Sequence, residues 1–348
     1  MPVPAPDTAD LRTELLVVGA GPAGLFACFY AGMRELDVVL LDSLPHLGGQ
    51  VAALYPDKPI FDVAGFPAVT GRELVDRLAE QAHLAKPRIL LDEVAEMLEH
   101  RPDGVRVRTS AGRCVEAGAV LITGGIGRFT PRPLPALAGW SGDGVHHLVG
   151  APEEYTGRDV VVVGGGDSAV DWANSLSPHA RRVTLVHRRR RFRAHERSVA
   201  QLTAGDVSIR TNSEIAQVSG STGSGLEAVS VRDCGTGALT RVPADVLIPA
   251  LGHIASLGPL TGWGLRLSGQ QIEVGTDMTT GVARVWAAGD ITTYPGKVRL
   301  MAVGFGEAAT AVNNLAVRLR PGADLFPGHS SDRATAPSNE KEAAPWRT

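Results

Sequence analysis

The chain has 348 residues, 34 Lys and Arg against 37 Asp and Glu, a formal charge of −3 and 44% hydrophobic residues. That length suits two ordinary globular domains, and the mild negative charge excludes a whole-protein positive field for nucleic acid. Three separated cysteines, Cys28, Cys114 and Cys234, show no C-x-x-C and no His at ligand spacing, so neither a disulfide framework nor a structural zinc site is expected. The start lacks a basic stretch followed by an apolar one, and no apolar run approaches about 18 residues. A cytoplasmic protein with no membrane span is the expectation.

The first clear element is a buried apolar strand in "ELLVVGAGPAGLFACFYAGMRELDVVLLD". A Gly-rich turn, a helix and a second strand follow, which makes a βαβ unit. Gly19, Gly21 and Gly24 have the G-x-G-x-x-G spacing. The first glycine permits the tight turn, the second lets a pyrophosphate approach the backbone, and the third lets helix and strand pack closely. Asp42 ends the second strand, 23 positions after Gly19, where a carboxylate can accept from ribose hydroxyls. These features predict a dinucleotide site, and two later ones favour FAD. Gln50 in "LGGQ" suits polar flavin or ribityl groups. Tyr55 in "ALYP" reads either as a ring that stacks on the flavin or as an ordinary aromatic.

Next, "GVRVRTSAGRCVEAGAVLITGG" predicts a hairpin feeding a strand, and "GRFTPRPLPALAGW" a Pro- and Gly-rich crossing between domains. The βαβ pattern then returns in "RDVVVVGGGDSAVDWANSLSPHARRVTLVHRRRRF". Gly164, Gly166 and Ala169 form a G-x-G-x-x-A variant, and 23 positions after Gly164 stands His187, followed by Arg188 and Arg189. An acid at that place accepts from a free ribose 2′-hydroxyl and repels a 2′-phosphate. Cationic donors invert the preference, which points to NADPH. The same run can be read as a solvated basic face or, against the overall charge, as a nucleic-acid patch. Arg190, Arg191 and Arg197 need not touch the nucleotide.

Later, "ALTRVPADVLIPALGH" predicts a second hairpin and strand, and "GVARVWAAGDITT" a strand ending at Gly289 and Asp290, where backbone and carboxylate can meet a ribityl chain. A helix is expected from near Met301, its positive end available to an anionic ring. The tail from Ser331 lacks periodicity and is expected to be disordered.

Together, "GAGPAGL", "LGGQ", "GGGDSAVDWA", "HRRRRFRAHE" and "AAGD" resemble the thioredoxin-reductase-like flavoproteins over about residues 14–331. "LGGQVAALYPDKPIFDVAGFP", "FRAHE", "SLGPLTGWGL" and "GKVRLMAVGFGEAATAVNN" narrow the resemblance to the ferredoxin/flavodoxin–NADP⁺ reductases of that type. The resemblance implies an α/β fold of two Rossmann-like nucleotide-binding domains. The FAD domain would be discontinuous, 1–125 and 285–330, with an NADPH domain at 126–284 inserted and a tail at 331–348. It implies a homodimer and a ferredoxin or flavodoxin partner. It also implies FAD contacts at Asp42, Gln50, Tyr55, Val94, Phe129, Asp290 and Ser331, and NADPH contacts at Asp167, Ser168, His187, Arg188, Arg189 and Arg193. His329 in "PGHSSD" matches the aromatic that covers the flavin face opposite Tyr55; from sequence alone it reads as a tail histidine in solvent. Relatives often have Glu where Asp42 stands.

The thioredoxin reductases carry a C-x-x-C near the second Gly motif, whereas "HHLVGAPEEYTGRDVVVVGGG" has no cysteine. Electrons would then leave the flavin directly, without a disulfide relay. The expected activity is hydride transfer from NADPH to flavin N5 and single-electron delivery to the carrier, the cofactors performing the chemistry with no metal and no catalytic acid or nucleophile. Two rival readings remain: a flavin reductase of a quinone or other acceptor, and a non-enzymatic NADPH/FAD-binding sensor.

Overall fold

The computed structural model describes residues 10–329 other than 148, 222 and 224. The chain forms two units, one built from the chain up to Arg128 and again from Ala255 onward, the other from Phe129–Ile254.

The first unit opens with β1 (Leu11–Val18), α1 (Pro22–Met33) and β2 (Val38–Leu41). All four residues of β2 are buried, as expected of a strand covered on both faces. Two helices follow, α2 (Gly49–Leu54) and α3 (Gly71–His83). Thr70 caps α3 by accepting from Glu73 N at 3.2 Å, and its apolar stripe, Leu74, Val75, Leu78 and Ala82, faces the core. Then come β3 (Arg88–Leu90), β4 (Ala95–Arg101), β5 (Gly104–Thr109) and β6 (Cys114–Ile122). The sheet order is β3-β2-β1-β6-β5-β4, parallel from β3 to β6 and antiparallel beyond.

The second unit carries β7 (Asp159–Val163), α4 (Asp167–Leu176), β8 (Arg182–Val186), α5 (Glu196–Ala204) and β9 (Ser208–Arg210). An antiparallel sheet follows, β10 (Ser213–Ser221), β11 (Gly225–Asp233) and β12 (Leu239–Pro243). The chain then returns in β13 (Val246–Pro249) to the parallel sheet, whose order is β9-β8-β7-β13. Both units thus place the first strand of the βαβ motif between the second strand and a later strand that arrives after a hairpin. In a doubly wound sheet that reversal of strand order opens a crevice at the carboxyl ends of the strands.

The first unit resumes at Ala255, not at residue 285. Trp263, Leu265 and Ile272 pack into the core cluster that holds Leu16, Val39 and Val120, and Trp263 Nε1 donates to Glu96 O at 3.1 Å. Residues 255–284 therefore belong to the first unit, which corrects the expected end of the inserted domain. β14 (Val285–Ala287) then adds to the parallel sheet beside residues 120–122 of β6. The last element, α6 (Met301–Leu319), buries Gly304, Glu307, Ala308, Ala311, Val312, Leu315 and Ala316, a stripe of helical period. It shares a core cluster with Ala27, Cys28 and Ala31 of α1, where small side chains let the two helices approach.

Candidate functional site: two dinucleotide cradles

At the end of β1 the three glycines have three different reasons to be glycine. Gly19 sits at φ +116°, and a Cβ there would lie 2.6 Å from the Thr123 carbonyl carbon. A Cβ on Gly24 would lie 1.8 Å from Gly19 O. Both are therefore dictated by the packing of the protein itself. Gly21 is not: its φ is −70°, which any residue adopts, and a Cβ would meet nothing within 4 Å. Gly21 is also the N-cap of α1, with Pro in the first turn, no side-chain cap and no acid within that turn. Free N–H groups, the positive helix end and open space coincide there, and that combination receives a pyrophosphate.

Asp42 is buried at 9% exposure beside this loop. Its Oδ2 accepts from Ala20 N at 2.5 Å and its Oδ1 from Leu44 N at 2.8 Å. Burial pushes its carboxyl above the usual range, against the pull of these two N–H groups. The acid thus shapes the Gly loop as well as standing where a ribose would lie. Gly48 N donates to Ala20 O at 2.9 Å, and a Cβ on Gly49 would lie 2.9 Å from Gly21 Cα, so the start of α2 rests on the same loop. Gln50 follows, its Nε2 against Gly125, where a Cβ would come within 2.3 Å.

Tyr55 ends α2, half-buried against the first core cluster. Burial raises its phenol first, and the charges of Asp290 and Asp62 add to the rise. Asp290 is itself half-buried; burial raises its carboxyl while Lys297 and Arg299 act the other way. Val94 has both backbone groups engaged with Ser110: its N–H donates to Ser110 Oγ at 2.9 Å and its carbonyl accepts from Ser110 N at 2.9 Å. His329 is exposed, edge-on to Phe326 with ring centroids 5.2 Å apart. The Phe129 side chain and Ser331 lie outside the described residues.

The second cradle repeats the logic at the end of β7. Gly164, at φ +156°, would place a Cβ 2.2 Å from Ala250 O and 2.8 Å from Ala169 Cβ. Gly166, the N-cap of α4, is extended and again faces nothing within 4 Å. Asp167 and Ser168 stand exposed in the first turn of α4.

The loop after β8 differs from expectation at one residue. His187, expected among the cationic donors, is buried at 9% exposure with its ring over Gly165, where a Cβ would lie 2.1 Å from Cε1. Its Nε2 donates to Arg191 O at 3.1 Å, and the ring stacks on Phe192 at 5.3 Å and 20°. Burial, followed by the charges of Arg189 and Arg188, holds its pKa below the ordinary value despite the Arg191 carbonyl. With its Nε2 committed to Arg191 O and its ring packed between Gly165 and Phe192, His187 supports the loop. Arg193 N donates to Gly165 O at 2.6 Å, and His195 N donates to Asp167 Oδ1 at 2.8 Å, so the loop folds back against the Gly turn and the start of α4. Arg188, Arg189, Arg190 and Arg191 remain exposed. Among the described residues, Arg188 and Arg189 pair with no carboxylate. Arg210, at the end of β9 beside this loop, has a buried Nε with no partner among the described residues.

One group escaped the sequence reading. Glu307, on the apolar stripe of α6, forms a buried ion pair with Lys297 beneath Gly289. A lone acid inside "MAVGFGEAATAV" was the available signal.

Two uncapped helix ends facing open space, with unlike residues beyond the second strands, define a protein that holds two different dinucleotides. The chain belongs to the pyridine nucleotide-disulphide oxidoreductase family, whose model matches residues 13–313. It is an oxidoreductase. It is 54% identical over 322 residues to "Ferredoxin–NADP reductase" of Frankia alni, covering 92% of this chain and all of that protein. It is 46% identical to "Ferredoxin–NADP reductase 2" of Shouchella clausii, covering 91% and 97%. Among solved structures, thioredoxin reductase from T. acidophilum superposes with a TM-score of 0.75 at 24% identity, covering 89% of this chain and 99% of that one, and shares the fold.

No helix among the described residues is long and apolar enough to cross a membrane.

Proposed function

We propose that the protein transfers electrons from NADPH, held by the second unit, by way of FAD, held by the first, to ferredoxin or flavodoxin. The observation that carries this reading is the pair of cradles. Each has a middle glycine that its own protein does not require, and the two differ where NADPH differs from FAD. The names of relatives at 46–54% identity support the choice of carrier.

The residues present fit both groups. Gly21 and the free N–H groups of α1 would hold the FAD pyrophosphate, Asp42 a ribose, and Gln50, Tyr55 and Asp290 the flavin end. Gly166 and α4 would hold the NADPH pyrophosphate, with Arg188 and Arg189 gripping the 2′-phosphate. When bound, FAD supplies the conversion of a two-electron donor into single electrons, which no amino-acid side chain here can perform. The thiols take no part: all three cysteines are free, and burial pushes the Cys28 thiol far up. This reading, following the family resemblance, has the protein working as a homodimer in the cytoplasm.

Anaerobic rapid mixing tests the proposal. NADPH should bleach the bound flavin much faster than NADH, and mixing the reduced protein with ferredoxin or flavodoxin should restore its colour within a turnover. A protein that purifies and reconstitutes without FAD, or is reduced but passes electrons to neither carrier, would sink it.

A further inference from the structure

The turn that carries Asp290 is held from beneath by one ion pair. Glu307 Oε2 accepts from Gly289 N at 2.7 Å, and Glu307 Oε1 accepts from Tyr294 OH at 2.6 Å and from Lys297 Nζ. Lys297 Nζ also donates to Gly289 O at 3.1 Å. Both backbone groups of Gly289 are therefore gripped by the two partners of a single pair. The side chains are 6% and 4% exposed. Gly289 itself is at φ +83°, and a Cβ on Gly304 would touch Gly289 Cα at 3.4 Å and Ala23 Cβ at 3.7 Å. The first turn of α6 thus rests on both the Asp290 turn and the first turn of α1.

Stability alone does not call for charges here, because apolar residues of similar volume often replace a buried ion pair without loss. Two opposite charges in a poorly solvated place do act on any third charge that forms nearby. Reduction puts negative charge on a flavin. A neighbouring cation lowers the cost of that charge and a neighbouring anion raises it. We propose that Lys297 and Glu307 are positioning residues, a charge-balanced clamp that fixes the Gly289–Asp290 turn at the flavin end of FAD and holds the flavin potential between the values either charge alone would impose. This rests on the assignment of Asp290 to the flavin end of the FAD site.

The test compares midpoint potentials of the FAD-loaded Lys297→Met, Glu307→Gln and doubly substituted proteins with the parent, together with FAD affinity from titration of the apoproteins. Glu307→Gln unmasks the lysine and should raise the potential. Lys297→Met unmasks the glutamate and should lower it. Each shift should be about tenfold in the two-electron equilibrium, or ~30 mV. The double variant should return to within about threefold of the parent, because the two charges cancel as a coupled pair. A purely structural clamp weakens FAD binding in both single variants and gives no shifts of opposite sign; that result, or no shift with FAD bound, overturns the inference. If a single variant fails to retain FAD, the other one measured against the double variant reads the same displacement, and its absence is equally decisive. A parent protein that takes up no FAD refutes the functional reading instead.

Discussion

Both cradles use the same position to brace the Gly turn, and they differ in what stands beside it. Asp42 and His187 each stand 23 positions after the first glycine, and each is buried and turned toward its own loop. Asp42 bonds Ala20 N, while His187 lies over Gly165. What the two loops present outward is unlike. Ser43 and Leu44 follow Asp42, whereas exposed Arg188 and Arg189 follow His187. The comparison teaches that this position braces the Gly turn, and under the proposed function it leaves recognition of a 2′-phosphate to the residues just beyond it.

The strongest way to break that comparison is to add single methyl groups to the glycines. Gly19→Ala meets backbone at 2.6–2.8 Å with φ at +116° and should destabilise the apoprotein by on the order of 3 kcal/mol. Gly21→Ala meets nothing, so urea unfolding of the apoprotein should change by less than about 1 kcal/mol. Its FAD affinity should nevertheless fall about hundredfold, the scale of lost hydrogen bonds to a charged group. Gly166→Ala should do the same to NADPH and leave FAD alone. Equal losses of stability at Gly19 and Gly21 would mean that the open space at Gly21 is not a ligand's.

Next in size is the discrimination between nucleotides. Replacing Arg188 or Arg189 by Ala should raise the KM for NADPH about tenfold to hundredfold per residue and change that for NADH little, since a charge-assisted bond contributes roughly 1.5–3 kcal/mol. His187→Asn should weaken both nucleotides together, because it disturbs the loop and not one phosphate contact. Steady-state kinetics with both nucleotides separates the two patterns.

A smaller effect distinguishes the two braces by pH. The folded carboxyl of Asp42 sits above its ordinary value of 3.8, so its contribution to stability is complete below that pH and is lost as pH rises through the folded value. The folded His187 sits below its ordinary 6.5, so its contribution is present above 6.5 and is lost as pH falls through the folded value. Unfolding of the apoprotein across mildly acid to neutral pH should show Asp42→Asn and His187→Asn removing slopes of opposite sign. Slopes of the same sign would show that the two positions are not alternative solutions to one problem.

The smallest expected effect is at the cysteines. A variant with Cys28, Cys114 and Cys234 all changed to Ala should keep turnover per bound FAD within about twofold, with any loss of stability coming mainly from the buried Cys28. Flavin that accepts hydride normally but cannot deliver electrons in this variant would place a thiol in the path.

Much of this was readable in the chain because its signals are local. Strand, Gly turn, helix and second strand fall within about thirty residues, and each copy announces itself by the same spacing. The return to the first unit at Ala255 was not readable. Trp263, Leu265 and Ile272 sit in short elements and turns that would serve either core, and only their packing against Leu16 and Val39 assigns them. His187 looked like one more cation in a basic run, because nothing in "HRRRRF" tells that the ring stacks on Phe192 and closes over Gly165.

By itself, then, the sequence determined the two cradles, their order and the charge that separates them, since these depend on residues close in the chain and on backbone freedoms that only glycine supplies. Tertiary structure alone decided which buried groups are braces, where the first unit resumes, and that Lys297 meets Glu307 under Gly289. Those outcomes depend on which distant residues share a poorly solvated space, where the cost of burying a charge makes its partner matter more than its position in the chain.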